Sequence, residues 1–474
     1  MPSLSEGLQQ YQKQGLRSFH TPGHKGRREF FFNLAFPDFD LTELPGLDVL
    51  HAPDGIIREA QERCAEIFGA EESFFLVNGG TVGNQAMMMA LHDKENRKVL
   101  VERQAHRSVV GALVLAGLKP DYIEPVIHPD FNLPLGTFLP RSIQWENYLG
   151  CQLTYPTYYG TLPPLGQWVG ERDRKGAKVP LLVDQAHGSH YLNGLFPPSA
   201  LKVGADLVLN SAHKTLSALT QGAILHVQGN RVDRRRLRQS LELLQSSSPN
   251  YLLLSSLEMA GEFALQEERW SELNYEVKNL HDQVANKIRL LGENDAGTYG
   301  IGEIDWSKIL INVRSLGLNG AACADYLRRE HGLEPEFWDQ ENILFLLGIG
   351  NTAEDVAALR KGLEALIRWA KFEHSGTQEK SCSIRETLKM LPIPPQKLTP
   401  REAFLASKKS IPLRDSLGKI CGETISPYPP GIPWIVAGEE ITYEVMEALQ
   451  FIGDRNFLGW QGKEERKIQV VEEG

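Results

Sequence analysis

Between residues 56 and 227 short apolar runs alternate with segments of helical period, and this alternation constrains the fold more than any other feature of the chain. Ile56, Ile57, Ala60, Cys64, Ile67 and Phe68 fall at helical spacing, and Gly69 ends the pattern. Ser73-Phe74-Phe75-Leu76-Val77 is short and apolar and reads as a buried strand. Asn78-Gly79-Gly80-Thr81 then turns into a helix over roughly 82–92. Residues 98–101 predict a strand and 106–116 a helix, with further strands at 121–127, 150–155, 180–184, 206–210 and 222–227. Apolar strands separated by helices predict an α/β fold with a mostly parallel sheet covered on both faces. Such sheets bind ligands at the carboxyl ends of their strands, so the polar residues just after each strand are the ones to weigh.

The chain has 474 residues, enough for roughly three domains. Residues 1–290 read as an N-terminal segment and the large domain. The charged stretch 255–292 within and beyond it reads as a long connecting helix. Residues 291–375 read as a small α+β domain, and 376–474 as a linker with one short helix and a C-terminal α+β domain centred on Pro427–Pro433. A hydrophobic content of 42% excludes a disordered chain. A net charge of -10 disfavours nucleic-acid binding, and the basic run Arg231–Arg238 reads as the solvated face of a helix. No apolar run is long enough for a membrane span, and the polar start lacks a signal-peptide core. Cys64, Cys151, Cys323, Cys382 and Cys421 are scattered without a CxxC pair, which predicts no metal cluster and a reducing, cytoplasmic setting.

Two strand ends carry the chemistry. Leu181-Leu182-Val183-Asp184 ends in an acid that is costly to bury without a cation or several donors. The next strand, Asp206–Asn210, leads into Ser211-Ala212-His213-Lys214. A lysine there can form a Schiff base with an aldehyde cofactor, and the acid can keep a pyridinium nitrogen protonated. Pyridoxal phosphate needs both. Gly79-Gly80-Thr81, between a strand and a helix N-terminus, suits its phosphate, and Ser211 adds a hydroxyl. His106, after the strand at 98–101, stands at the same sheet edge and can stack on a pyridine ring.

Together these motifs resemble the Orn/Lys/Arg decarboxylase family of fold-type-I pyridoxal-phosphate enzymes, in the form lacking an N-terminal wing domain. The likeness extends to Phe19-His20-Thr21-Pro22-Gly23-His24-Lys25-Gly26, His106-Arg107-Ser108, Asp184-Gln185-Ala186-His187, Ser247-Ser248-Pro249-Asn250-Tyr251 and Pro427–Pro433. It implies Lys214 as the Schiff-base lysine, Asp184 on the ring nitrogen and His106 stacked on the ring. It implies Ala186 on the opposite face, and Gly80, Thr81, Ser211 and His213 around the phosphate and Schiff base. His187 would lie beside the cofactor or on the substrate side. Ser247 or Ser248 would reach the neighbouring subunit's site in a homodimer or larger homo-oligomer. Leu209 and Gly222 stand where the family usually has small residues and Ser, Ala or Thr, and Gly80 where Ser or Thr is common.

The resemblance implies decarboxylation of arginine, lysine or ornithine, with arginine slightly favoured, and with Lys214 or His213 returning a proton to the α-carbon. Reading a basic side chain requires an acid, for which Asp48 and Glu423 are the candidates and Asp415 a weaker one. Two alternatives stay open. One is another fold-type-I enzyme such as an aminotransferase, which needs an arginine such as Arg314, Arg328 or Arg329 for the substrate carboxylate. The other is a catalytically silent binding protein on the same scaffold.

Overall fold

The computed structural model describes residues 11–31, 40–91, 98–373, 391–450 and 457–472. Its centre is a seven-stranded sheet of β1 (Glu72–Leu76), β2 (Lys98–Glu102), β3 (Lys119–Ile123), β4 (Cys151–Thr154), β5 (Leu181–Asp184), β6 (Leu207–Asn210) and β7 (Ala223–Val227). The spatial order is β1-β7-β6-β5-β4-β2-β3. Successive residues of a strand point to opposite faces. Leu181, Val183 and Val208 therefore enter one buried cluster, and Leu182, Leu207 and Leu209 another on the far side.

All pairings from β3 to β6 are parallel, but β7 runs antiparallel to both β6 and β1. The expected strands are present except that the one over 121–127 is two: the sheet strand ends at Ile123, and Pro125–His128 pairs antiparallel with Leu133–Thr137 outside the sheet. The sheet itself is mixed at one position. The link between β6 and β7 holds only a short helix, Ala212–Thr215, and leaves no room for a crossover, so the chain doubles back.

Helices α1 (Ile56–Phe68), α2 (Gly79–Ala90) and α3 (Arg107–Ala116) follow the expected positions, with α2 starting at the glycines themselves. The expected single helix over 255–292 is two, α4 (Tyr251–Ala264) and α5 (Glu267–Val284), broken at Leu265-Gln266. The small unit carries a four-stranded sheet of β8 (Arg289–Leu290), β9 (Lys308–Asn312), β10 (Phe337–Trp338) and β11 (Asn342–Leu346) in the order β8-β9-β11-β10, with helices α6 (Gly320–His331) and α7 (Ala353–Glu373). Most of the linker, with Cys382, lies outside the described residues; its described end, 391–399, contains no helix.

The C-terminal unit has its own core of Leu413, Cys421, Ile425, Ile435, Ile441, Val445, Leu449, Trp460, Ile468 and Val470. It opens on helix Pro400–Leu405, capped reciprocally by Thr399 and Glu402, and pairs Lys408–Pro412 with Lys467–Val471. Among the described residues no helix is long and apolar enough to cross a membrane.

The N-terminal segment ties the units together. Arg17–Phe19 pairs with Leu333–Pro335 of the small unit, and the Gly23 N–H donates to the His213 carbonyl at 2.7 Å. A β-carbon on Gly23 would stand 2.4 Å from the Leu216 carbonyl oxygen, while one on Gly348 would stand 2.7 Å from Gly23 Cα. The motif's glycine is thus fixed by backbone passing on both sides. Lys25 is half-buried beyond it, with Nζ donating to the carbonyls of His20 and, at 3.2 Å, Leu346.

Candidate active site

The carboxyl ends of β4, β5 and β6 open into a cavity of about 620 Å³. Register places Asp184 beside Thr154 on one strand and Leu209 on the other. The cavity wall includes Gly80, Thr81, His106, Asp184, Ala186, His187, Ser211, His213 and Lys214, so nine predicted residues meet in one place.

Asp184 is buried and doubly bound. Its Oδ2 accepts from Asn84 Nδ2 at 2.8 Å and its Oδ1 from the Ala186 N–H at 3.1 Å. Asn84 Nδ2 also donates to Ser108 Oγ at 2.9 Å, which leaves the Ser108 hydroxyl to donate to His106 Nδ1 at 2.8 Å. The acid and the imidazole are therefore linked through two neutral side chains. Asn84 was not singled out in the sequence, although a buried amide within the apolar helix α2 was a legible signal.

Lys214 Nζ lies 3.0 Å from His187 Nε2. Burial lowers the lysine's pKa, with Lys308 adding to the shift and Asp184 and Glu336 opposing it. Burial together with Lys214 brings His106 down to about 4, and burial and Lys214 also hold His187 well below its ordinary range. His213 is brought to about 4, again mainly by burial, and its Nδ1 donates to the Gly222 carbonyl at 2.9 Å, which leaves Nε2 open.

The glycine departure has a steric reason. A β-carbon on Gly80 would stand 2.7 Å from Ser211 Oγ, and one on Gly83 would stand 2.4 Å from Leu209 Cδ1. Leu209 is accommodated by the bare Gly83, and Ser211 Oγ occupies the space a side chain at 80 would take.

Three predicted substrate-side residues lie elsewhere. Asp48 accepts from the N–H groups of Val49, Asp54, Gly55, Ile57 and Arg58, so it caps the start of α1. Glu423 is buried in the C-terminal unit, where it accepts from the Gln461 and Gln469 N–H groups at 3.1 and 3.0 Å. Ser247 is exposed and lines no part of the cavity, though Ser246 and Ser248 border an adjoining 520 Å³ cavity that shares Asn78, Thr220 and Gln221 with the first. Asp415 is exposed beside Arg414. The acid that does line the cavity with Asp184 is Glu336, which the sequence reading missed. It accepts from the Thr21 N–H at 2.9 Å and the Tyr158 hydroxyl at 3.0 Å. Its position next to β10, in a segment without a motif, gave no signal.

No arginine lines the cavity among the described residues. Arg314 pairs with Glu341, Arg328 with Glu334 at 2.7 Å and Arg329 with Asp325 at 2.9 Å. In the basic run, Arg231 pairs with Asp173 and Asp206, Arg234 with Glu71 and Glu72, and Arg238 with Glu72. Among the described residues no cluster of three His, Cys, Asp or Glu side chains could hold a metal ion.

The family model of the Orn/Lys/Arg decarboxylase major domain matches residues 2–294, and that of the C-terminal domain matches 384–457. The chain belongs to the Orn/Lys/Arg decarboxylase family. The decarboxylase is 34% identical to the uncharacterized protein YaaO of Bacillus subtilis, over 94% of this chain and 93% of the relative. It is 33% identical to the arginine decarboxylase of the same organism, over 93% of this chain and 91% of the relative. Among solved structures, lysine decarboxylase A from Pseudomonas aeruginosa superposes with a TM-score of 0.76 at 21% identity, covering 100% of this chain and 80% of that one. The decarboxylase is accordingly a fold-type-I, pyridoxal-phosphate-dependent carboxy-lyase of the basic-amino-acid class.

The cavity fits the cofactor. It brings together an amine, a buried acid with a free lone pair on each oxygen, hydroxyls of Thr81 and Ser211, and the N-terminus of α2. Two buried polar atoms at its wall, Asn84 Oδ1 and His187 Nδ1, have no partner among the described residues.

Proposed function

We propose that this decarboxylase converts arginine to its amine and carbon dioxide. The observation that carries the reading is that Lys214, Asp184 and Glu336 line one cavity that, among the described residues, contains no arginine. The lysine and the buried acid serve the cofactor; the second acid serves a cationic side chain, which could not be buried without one. An aminotransferase would need an arginine, and none stands in the wall among the described residues. Glu336 suits either a guanidinium or an ammonium. The 33% identity to an arginine decarboxylase over nearly the whole chain favours the former.

When bound, pyridoxal phosphate supplies an aldehyde for the amino group and a ring that draws electrons from the breaking bond. Lys214 offers the amine that exchanges with the substrate's. Gly80, Thr81, Ser211 and the first N–H groups of α2 hold the phosphate. Asp184, fixed by Asn84 and the Ala186 N–H, keeps a proton at the ring nitrogen. His106 would cover one face of the ring and Ala186 the other. After carbon dioxide leaves, Lys214 Nζ, or His213 once it has gained a proton at Nε2, would return a proton to the α-carbon. Glu336 and Tyr158 bind the distal cation, so Glu336 takes the role first assigned to Asp48 or Glu423.

The same reading includes a cytoplasmic homodimer. The exposed 246–248 segment borders the adjoining cavity and is suited to reach a second subunit's site.

The test is carbon dioxide release from arginine, lysine and ornithine, with cofactor supplied, by the wild type and Lys214→Ala. Release from arginine that the substitution abolishes is the expected result. Release from lysine or ornithine alone would reassign the substrate. No release from any of them, with a cofactor absorbance that depends on Lys214, would sink the basic-amino-acid reading. Light scattering at twice the monomer mass is expected, and a monomer that is fully active would remove the shared site.

A further inference from the structure

The loop and helix start that carry His106 are held by the sheet on one side, where the Arg103 N–H donates to the Ile123 carbonyl at 3.0 Å, and by the C-terminal unit on the other. Arg103 is 4% exposed and pairs at 3.0 Å with Glu439, which is 0% exposed. The same guanidinium donates to the carbonyls of Pro433 at 3.1 Å and Trp434 at 3.3 Å. The Arg107 N–H donates to the Gly431 carbonyl at 3.0 Å. The segment Arg103–Arg107 is thus gripped at both ends by residues 431–439, and His106 lies between the grips.

Gly431 sits directly against that histidine. A β-carbon built on it would stand 3.1 Å from both His106 Cδ2 and Nε2. The glycine cannot back away, because its N–H donates to the Pro427 carbonyl at 2.9 Å while its carbonyl holds Arg107. The imidazole has weaker ties, to the Ser108 hydroxyl and N–H through Nδ1 alone. An added β-carbon at 431 would therefore push the ring by a few tenths of an ångström. Tyr428, Pro429, Pro430 and Ile432, the neighbours of Gly431, line the same cavity.

We infer that Gly431 is a positioning residue for His106: the C-terminal unit sets the height of the stacking imidazole over the cofactor plane, and a bare α-carbon at 431 is what allows it. The inference rests on His106 covering the cofactor ring, as proposed above, and goes beyond it by assigning the C-terminal unit a share in holding the cofactor.

The test is a double-mutant cycle read by equilibrium binding of pyridoxal phosphate to the cofactor-free full-length chain. Gly431→Ala is expected to raise the dissociation constant about fivefold to tenfold, the worth of one well-placed ring contact. In a His106→Ala background the same substitution should change it by less than about twofold, because the displaced ring is gone. Gly431 has a φ of +89°, so alanine also introduces backbone strain. Gly418→Ala controls for that: it lies in the same unit with a φ of +74°, and a β-carbon there meets nothing within 4 Å. Binding by Gly418→Ala should match the wild type. Equal losses from Gly431→Ala with and without His106, no loss at all, or a loss matched by Gly418→Ala would overturn the inference. If His106→Ala alone binds the cofactor as the wild type does, the stacking role fails first and takes the inference with it.

Discussion

Lys214 Nζ lies 3.0 Å from the Nε2 of His187, an imidazole that burial and the lysine itself hold well below its ordinary range. The lysine's charge holds the imidazole neutral, and burial disfavours the lysine's own charge, which favours the reactive amine. The lysine's ordinary value is 10.5, and burial lowers it. A neutral amine is the form that attacks an aldehyde, so cofactor uptake by the cofactor-free chain should rise with pH and level off below 10.5. Stopped-flow absorbance across pH 7–11 (about the range that brackets both limits) measures the midpoint, and a midpoint at or above that of free lysine would remove the argument.

Glu336→Gln should raise KM for arginine about a hundredfold, because a guanidinium entering the cavity then finds no compensating charge. Its effect on kcat should be smaller, since the distal cation is bound alike before and during bond cleavage. Steady-state kinetics on Glu336→Gln beside Asp48→Asn and Glu423→Gln separates the three candidate acids.

Lys25 gives a pH window for stability. Burial is the main cause that brings it to about 7, against an ordinary 10.5. Between those values the unfolded chain binds the extra proton, so stability gains from this residue as pH rises through the window. Urea melts at pH 7 and pH 10 (roughly the two ends) should show that gain shrink in Lys25→Met, whose side chain needs no proton to leave.

Arg103→Met leaves Glu439 buried without its partner and should cost about 3–5 kcal/mol. The loss should fall on the joint between the units. Limited proteolysis would then cut within the C-terminal unit before global unfolding, and equal protection in mutant and wild type would contradict the clamp.

Asp48→Ala should destabilise by ~1–2 kcal/mol, the worth of a helix cap, with kcat/KM unchanged at temperatures where the chain stays folded. Burial opposes its ionisation, but the backbone N–H donors outweigh that and bring it from 3.8 to about 2. Its contribution is complete above 3.8 and is lost as pH falls through about 2, which acid titration of wild type against Asp48→Ala would show.

The parts of this molecule that were legible in its sequence are those written in local pattern. Apolar runs located β1 to β7, and the polar residues after β5 and β6 located Asp184 and Lys214. Direction was not legible, since apolar periodicity is the same forwards and backwards; only the shortness of the 211–222 link turns β7 around. The break at Leu265-Gln266 carries no Gly or Pro and so passed as helix. Acids were the hardest to place. Asp48, Glu423 and Glu336 are alike as letters, and what separates them is which backbone N–H groups meet each carboxylate after distant segments pack.

The cavity wall runs from Thr21 through Glu336 to Ile432. During synthesis the first of these residues emerges long before the last, and the strand that begins the motif must wait for Leu333–Pro335 to pair with it. The site therefore has no half-built working form on the ribosome. Cofactor capture belongs to the finished chain, and a message cut short anywhere before Ile432 yields a product without a complete wall, however well its large sheet has formed.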